Sequence, residues 1–98
     1  MIRVLLPFHL QTLAQCGPNV ELEVDAPHTA RAVIRTLENR FPTLRGAIID
    51  HYSGERRPKV RFFACKEDIS HESMDDLLPA EVINGKESFL IVGAISGG

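Results

Sequence analysis

The sequence lacks the features that mark membrane, secreted or nucleic-acid-binding proteins. Its two cysteines, Cys16 and Cys65, are too few for a disulfide framework. No apolar run approaches the roughly 20 residues that a membrane span needs, and the run at 2–6 is too short for a signal-peptide core. A net charge of -2 and one short basic run at 56–59 give no basic surface. We therefore expect a cytoplasmic protein with no nucleic-acid or membrane partner.

The sequence also lacks the motifs of common enzyme chemistry. It has no glycine-rich phosphate loop with its lysine, and no Ser-His-Asp or Cys-His arrangement with sequence support. No histidine has metal-ligand spacing with a cysteine. All four histidines fall in segments that we predict to be polar loops: His9, His28, His51 and His71. We therefore expect no catalytic residue, no metal site and no bound cofactor.

Hydrophobic periodicity predicts four strands and one main helix in a single domain, residues 1–98. The strand segments are rich in β-compatible side chains or alternate strictly, and they span 2–6, 20–25, 60–65 and 88–92. Thr29 can cap a helix that ends before Pro42. The apolar face of this helix carries residues at helical spacing: Ala30, Val33, Ile34, Leu37 and Phe41.

The remaining segments are predicted to be connections with short helical pieces. We expect helical character at 10–14, a helical turn within 43–50 that buries Leu44 and Ile48, and turns at 66–68 and 84–86. Within 69–79 we expect a short helical turn whose core contacts are Leu77 and Leu78. The order β-β-α-β-(short)-β indicates an α+β fold, in which one mixed sheet carries the main helix across one face.

The first and last strands are both apolar, so we predict that they are central neighbours in the sheet. The long connection between them permits parallel pairing. When alternate residues of each strand face the helix, Leu5, Leu90 and Val92 point to the opposite face, together with Phe63. Such an apolar patch usually marks a partner surface. The alternative is a sheet face that loops cover.

The last strand gives way to small residues and ends on two glycines. We expect 93–98 to be a flexible tail that reaches about 20 Å when extended. Such a tail can enter a narrow channel in another protein and present its terminal carboxylate there. The threading residues would be Ala94, Ile95, Ser96 and Gly97. The alternative is that the Gly-Gly end arises by chance or by trimming.

Over its whole length the chain resembles the MoaD/ThiS family of ubiquitin-like, β-grasp sulfur carriers. The resemblance rests on the strand at 2–5, the helix at 29–40, Leu78-Pro79, the turn at 84–87 and the run 89–92 that leads to Gly97-Gly98. The longer middle, 43–59, is similar to the mycobacterial cysteine-biosynthesis carrier. Asn84 and Lys86 depart from the acidic residues that the family usually has around the glycine.

The resemblance implies a β-grasp fold and a co-substrate, not an enzyme. An adenylating enzyme of the ubiquitin-activating type, using ATP and Mg, would convert the Gly98 carboxylate to an acyl-adenylate. A sulfur donor would then leave a thiocarboxylate, which an acceptor synthase would use in cysteine, molybdopterin, thiamine or related biosynthesis. Two alternatives stay open: a ubiquitin-like modifier joined to lysines of other proteins through Gly98, and a β-grasp binding module whose tail has no chemistry.

Overall fold

The computed structural model of the protein describes residues 1–93. Its elements in chain order are β1 (Ile2–Leu5), α1 (Phe8–Ala14), β2 (Asn19–Leu22), α2 (Ala30–Arg40), a 3₁₀ turn (Pro42–Leu44), β3 (Val60–Ala64), β4 (Glu67–Asp68), α3 (Ala80–Ile83) and β5 (Phe89–Gly93). The strands form one mixed sheet in the order β2-β1-β5-β3-β4. Within residues 1–93, none of the helices has the length and apolar character that a membrane span requires.

The first and last strands are neighbours in this sheet, as the sequence predicts, and they pair parallel, which the long connection between them permits. Val4 lies opposite Phe89, and Leu5 lies opposite Leu90. β2 pairs antiparallel with β1 on one side, and β3 pairs antiparallel with β5 on the other. The last strand therefore lies in the middle of the sheet, and its end at Gly93 lies opposite Val60, where β3 begins.

The main helix, α2, covers one face of the sheet and is formed by the predicted residues. The Thr29 hydroxyl caps it by accepting a hydrogen bond from the backbone N–H of Ala32 at 3.1 Å. Three side chains on its apolar face are fully buried: Val33, Ile34 and Leu37. The helix ends at Arg40, two residues before Pro42, which has no N–H to continue the hydrogen-bond ladder. The predicted α+β arrangement is confirmed.

The long middle segment between α2 and β3 packs against the core through three buried residues, Leu44, Ile48 and Ile49. The predicted helical turn is a 3₁₀ turn at Pro42–Leu44, and both Leu44 and Ile48 are fully buried. The loop after it is held by Asp50, whose carboxylate accepts hydrogen bonds from the backbone N–H groups of Tyr52 and Ser53. These bonds lower the pKa of Asp50 below its ordinary value, Ser53 having the larger effect.

The segment 69–79 differs from its prediction. It contains no helix, and the short helix α3 begins only after Pro79. Leu78 is buried as predicted, but Leu77 is 71% exposed, and the predicted core contact of Leu77 is wrong. Met74 and Ser70 are the other buried residues of this segment.

The cause of this difference is a set of backbone contacts with the start of α2. The N–H of Leu78 donates to the carbonyl of His28 at 2.9 Å, and Leu77 forms a β-bridge with Thr29. Successive side chains of extended backbone point in opposite directions. Burial of Leu78 therefore sends Leu77 to the outside.

The predicted turn at 66–68 is correct only in its first part. Cys65 and Lys66 form the turn with positive φ angles of 50° and 68°, and Glu67–Asp68 is an edge strand paired with β3. Two left-handed residues give the hairpin geometry that Asn-Gly usually supplies. The turn before β5 matches its prediction, with Gly85 at φ 84° and the Asn84 side chain accepting from the N–H of Lys86.

Candidate functional site

The outward face of the sheet carries three apolar side chains in one row across its central strands. Leu5 of β1 lies opposite Leu90 of β5, and Leu90 lies opposite Phe63 of β3. Opposite residues on neighbouring strands have Cβ atoms about 5 Å apart, so the three side chains lie side by side. All three are half-buried, whereas the alternate residues of the same strands are buried under α2.

Val92 continues this apolar surface along β5 toward the end of the described chain. It is 41% exposed and lies opposite Arg61, on the same face as Leu90. We call Leu5, Phe63, Leu90 and Val92 the outer patch. The next residue, Gly93, is the last that the structure describes. The outer patch therefore reaches the point from which residues 94–98 continue.

An ion pair bounds the outer patch on the β4 side. The Arg61 guanidinium donates to Asp68 Oδ2 from Nη2 at 2.7 Å and from Nε at 3.0 Å. The hydroxyl and backbone N–H of Ser70 hold the pKa of Asp68 well below its ordinary value, and Arg61 lowers it further. Asp68 is therefore ionised at neutral pH, and its ion pair gives this side of the patch a polar rim.

Arg3 is held on the other side of the outer patch. Its Nε donates to the carbonyl of Gly85 at 2.9 Å, and its Nη2 donates to the carbonyl of Lys86 at 3.0 Å. This guanidinium joins β1 to the turn that leads into β5. The patch therefore combines an apolar centre with charged edges, which is the usual composition of a protein–protein contact surface.

His9 lies directly against Gly93. A Cβ built on Gly93 would overlap the Cε1 atom of His9 and would come within 3.0 Å of both ring nitrogens. The expectation that His9 lies in a polar loop is wrong, because it belongs to helix α1. Only seven residues form this helix, and Pro7 at its start makes no side-chain cap, so the sequence signal was weak. A glycine at position 93 lets the imidazole lie on the backbone where the tail begins.

Replacing Gly93 by alanine should move His9 without unfolding the protein. Gly93 has an ordinary φ, so alanine would normally add about 0.4–1 kcal/mol of stability through the unfolded state. We expect that gain to be lost, because the ring must rotate away from the new Cβ. Gly17→Ala is the matched control, since a Cβ there meets nothing within 4 Å. Urea unfolding and the NMR signals of His9 measure both effects. Equal stabilisation by the two changes, with unchanged His9 signals, would contradict the contact.

The predicted tail sites lie outside the residues that the structure describes. They are the threading residues Ala94, Ile95, Ser96 and Gly97 and the acylation site Gly98. Their roles stay predictions, and so does the docking role of the outer patch. Within residues 1–93, no group of three or more His, Cys, Asp or Glu side chains is placed to hold a metal ion, and Cys16 and Cys65 are free thiols.

Solved structures similar to this chain cover almost its full length. A chain of the BexX/CysO complex of Amycolatopsis orientalis has a TM-score of 0.78 at 16% identity, over 100% of both chains. CysO of Mycobacterium tuberculosis has a TM-score of 0.76 at 23% identity, over 97% of this chain and 100% of that one. SAMP1 of Haloferax volcanii has a TM-score of 0.75 at 19% identity, over 98% of this chain and 97% of that one. No protein-family model and no curated protein matches the sequence.

These similarities establish the fold. The chain therefore shares its overall fold with SAMP1 and CysO over nearly the full length of each. The predicted β-grasp fold is confirmed. Identities of 16–23% establish no more than the fold.

Proposed function

We propose that the protein is a sulfur carrier that acts through the carboxylate of Gly98. The observation that carries this proposal is the position of β5. This strand is central in the sheet, displays Leu90 and Val92 on the open face, and leads into a sequence of small residues that ends in Gly97-Gly98. The shared fold with CysO supports the same role.

The proposed chemistry needs a partner enzyme. A carboxylate oxygen of Gly98 attacks the α-phosphorus of ATP and pyrophosphate leaves, so that an acyl-adenylate forms. A sulfide-level donor sulfur then attacks the acyl carbon and AMP leaves; when the donor is a persulfide, a second thiol reduces the S–S bond. The partner supplies Mg²⁺ and the cationic groups that stabilise the phosphoryl transfer. The protein is thus a co-substrate in the cytoplasm, where its partners are an adenylating enzyme, a sulfur donor and an acceptor synthase.

The outer patch is the proposed docking face for these partners. It adjoins Gly93, and the five residues that follow span at most about 17 Å when extended. A partner bound to the patch would therefore hold its active site within that distance of Gly93. Docking would convert the attack of the tail into an effectively intramolecular step, which can remove several kcal/mol from the barrier.

Leu90→Asp should weaken partner docking and leave the fold intact. Leu90 is in the middle of the apolar row, so a carboxylate there must be desolvated when a partner covers it. We expect the Kd for the adenylating enzyme of the host to rise at least about 30-fold, which corresponds to about 2 kcal/mol. Isothermal titration calorimetry measures this change.

The matched control for this experiment is Leu13→Asp. Leu13 is a 44% exposed leucine on α1 and is not part of the outer patch. We expect its Kd to stay within about twofold of the unaltered protein, because exposed substitutions away from a contact change energies by only about 0.5 kcal/mol. Unchanged binding by the Leu90 variant would refute the docking face.

A second candidate function is a ubiquitin-like modifier that is conjugated through Gly98. The specific observation in its favour is the structural similarity to small archaeal modifier protein 1 of Haloferax volcanii, with TM-scores of 0.75 and 0.73. The same acyl-adenylate would serve both functions, because its carbonyl can accept either a sulfur or a lysine amine. The two functions are distinguished by the group that ends on the acyl carbon of Gly98, which is sulfur for the carrier and a lysine nitrogen for the modifier.

A further inference from the structure

A cleft of about 360 Å³ lies at the end of β3 that is farther from Gly93. Its floor is apolar and comes from three elements: the start of α2, the end of β3 and the segment 74–78. The buried floor residues are Ala30, Phe62, Ala64, Met74 and Leu78. The cleft shares no lining residue with the outer patch, so it is a separate surface.

Leu77 stands on the rim of this cleft as an exposed side chain on a fixed backbone. It is 71% exposed, although its backbone is bridged to Thr29. The neighbouring N–H of Arg31 donates to the carbonyl of Met74 at 3.0 Å. A large apolar side chain whose backbone is already ordered loses little entropy on binding, which is the property of an anchor residue.

The rim of the cleft is acidic, and its carboxylates form no ion pairs within the described part of the chain. Four carboxylates line it: Glu67, Glu72, Asp76 and Glu81. None of them has an ion-pair partner within residues 1–93, whereas Glu38, Asp50, Asp68 and Asp75 all do. No Lys, Arg or His of the described chain lines the cleft. With four carboxylates and no basic side chain, the cleft is more negative than the chain as a whole, whose net charge is -2. It therefore attracts cations.

Cys65 also lines the cleft, and the rim carboxylates affect the pKa of its thiol. Its pKa is raised above the ordinary value, first by burial and then by the carboxylates of Glu81, Glu87 and Glu67. Glu81 and Glu67 are two of the four rim carboxylates. Two of the rim carboxylates therefore act on the Cys65 thiol, which also lines the cleft, and both disfavour its thiolate.

We propose that this acidic cleft docks a basic, extended segment of a partner protein, with one aliphatic side chain packed on Leu77 and Met74. Lysines or arginines on either side of that side chain would meet the four carboxylates. The apolar floor favours a peptide over a bare metal ion, which would gain nothing from it, and the charge excludes an acidic segment. The site depends neither on the outer patch nor on the chemistry at Gly98.

The test is an NMR titration of the full ¹⁵N-labelled chain with the acetylated, amidated peptide Lys-Leu-Lys-Leu-Lys-Leu-Lys. We expect saturable shifts concentrated at residues 62–67 and 72–81. The triple variant Glu72→Gln/Asp76→Asn/Glu81→Gln should raise Kd about tenfold, as three modest charge pairs together would. Its matched control, Glu21→Gln/Glu23→Gln/Asp25→Asn, removes the same charge from exposed positions outside the cleft, and Kd should stay within about twofold.

Leu77→Ala tests the apolar half of the inference separately. We expect a rise in Kd of about tenfold, against no more than about twofold for Leu13→Ala on α1. Both leucines are exposed, so neither change removes a core contact. The proposal is overturned by equal losses from the two charge triples, by shifts spread over the whole surface, by equal effects of the two leucine variants, or by no saturable binding.

Discussion

Leu37→Asp should leave the protein unfolded at room temperature. Leu37 belongs to the face of α2 that lies against the sheet, and its side chain has no exposed surface. Loss of a buried leucine side chain alone costs about 2–5 kcal/mol, and an unpaired charge in the same place costs several more. A domain of this size has only about 5–15 kcal/mol of stability in total. Circular dichroism and the amide dispersion of an NMR spectrum measure the outcome.

Leu90→Asp is the matched control for this change, because it introduces the same charge on the other face of the same sheet. Leu90 is half-buried on the open face, so its carboxylate keeps access to water. We expect a loss of about 1 kcal/mol, the full range of side-chain preferences in strands. Equal destabilisation by the two substitutions would mean that both faces of the sheet are buried. That result would contradict the assignment of the outer patch to an open face.

Deletion of Gly97 and Gly98 should abolish acyl-adenylate formation and leave docking and stability unchanged. The deletion withdraws the terminal carboxylate by about 7 Å along an extended chain. A misplacement of about 1 Å can already cost about a hundredfold in rate, so we expect activity to fall to background. Exchange of radiolabelled pyrophosphate into ATP, catalysed by the host's adenylating enzyme, measures this step directly.

Ser96→Ala is the control for the deletion. It keeps the length of the tail and its two glycines, and it removes only a hydroxyl, so we expect exchange activity within about threefold of the unaltered chain. If the deleted protein instead supports full exchange and full biological function, the tail has no chemistry. The remaining interpretation would then be a β-grasp binding module.

Regular periodicity made the central part of the fold predictable. The period of two in β1 and β5 distinguishes the face under α2 from the face that carries Leu5 and Leu90. The helical spacing from Ala30 to Leu37, with Thr29 as the cap, identifies α2. These elements contribute eight of the 21 buried hydrophobic residues, and the pairing of β1 with β5 and the outer patch followed from the same pattern.

The errors fall where long-range contacts decide the structure. Leu77 and Leu78 are identical in type, and only the pairing of their backbone with residues 28–29 determines which one is buried. The strand β4 has two residues, too few to display a period. The acidic cleft was missed for the same reason, because it assembles residues from 30 to 81 that share no local motif.

The contact between His9 and Gly93 was also beyond sequence reasoning. The two residues are far apart in the chain, and nothing in the chemistry of a histidine or a glycine indicates that they are in contact. They meet because parallel pairing of β1 with β5 places the end of β5 beside the residues that follow β1. A glycine at the end of an apolar strand is the signal that was present, since it often marks a close backbone approach.

The most direct measurement is the intact mass of the protein purified from its native host, followed by the mass of its C-terminal peptide. The sulfur-carrier account predicts a species that is heavier by the exchange of one oxygen for one sulfur, with the change confined to Gly98. A tail attached to lysines of other proteins would instead favour the modifier. A C-terminal carboxylate that stays unchanged, even after incubation with the host's adenylating enzyme, ATP and a sulfur donor, would contradict the account.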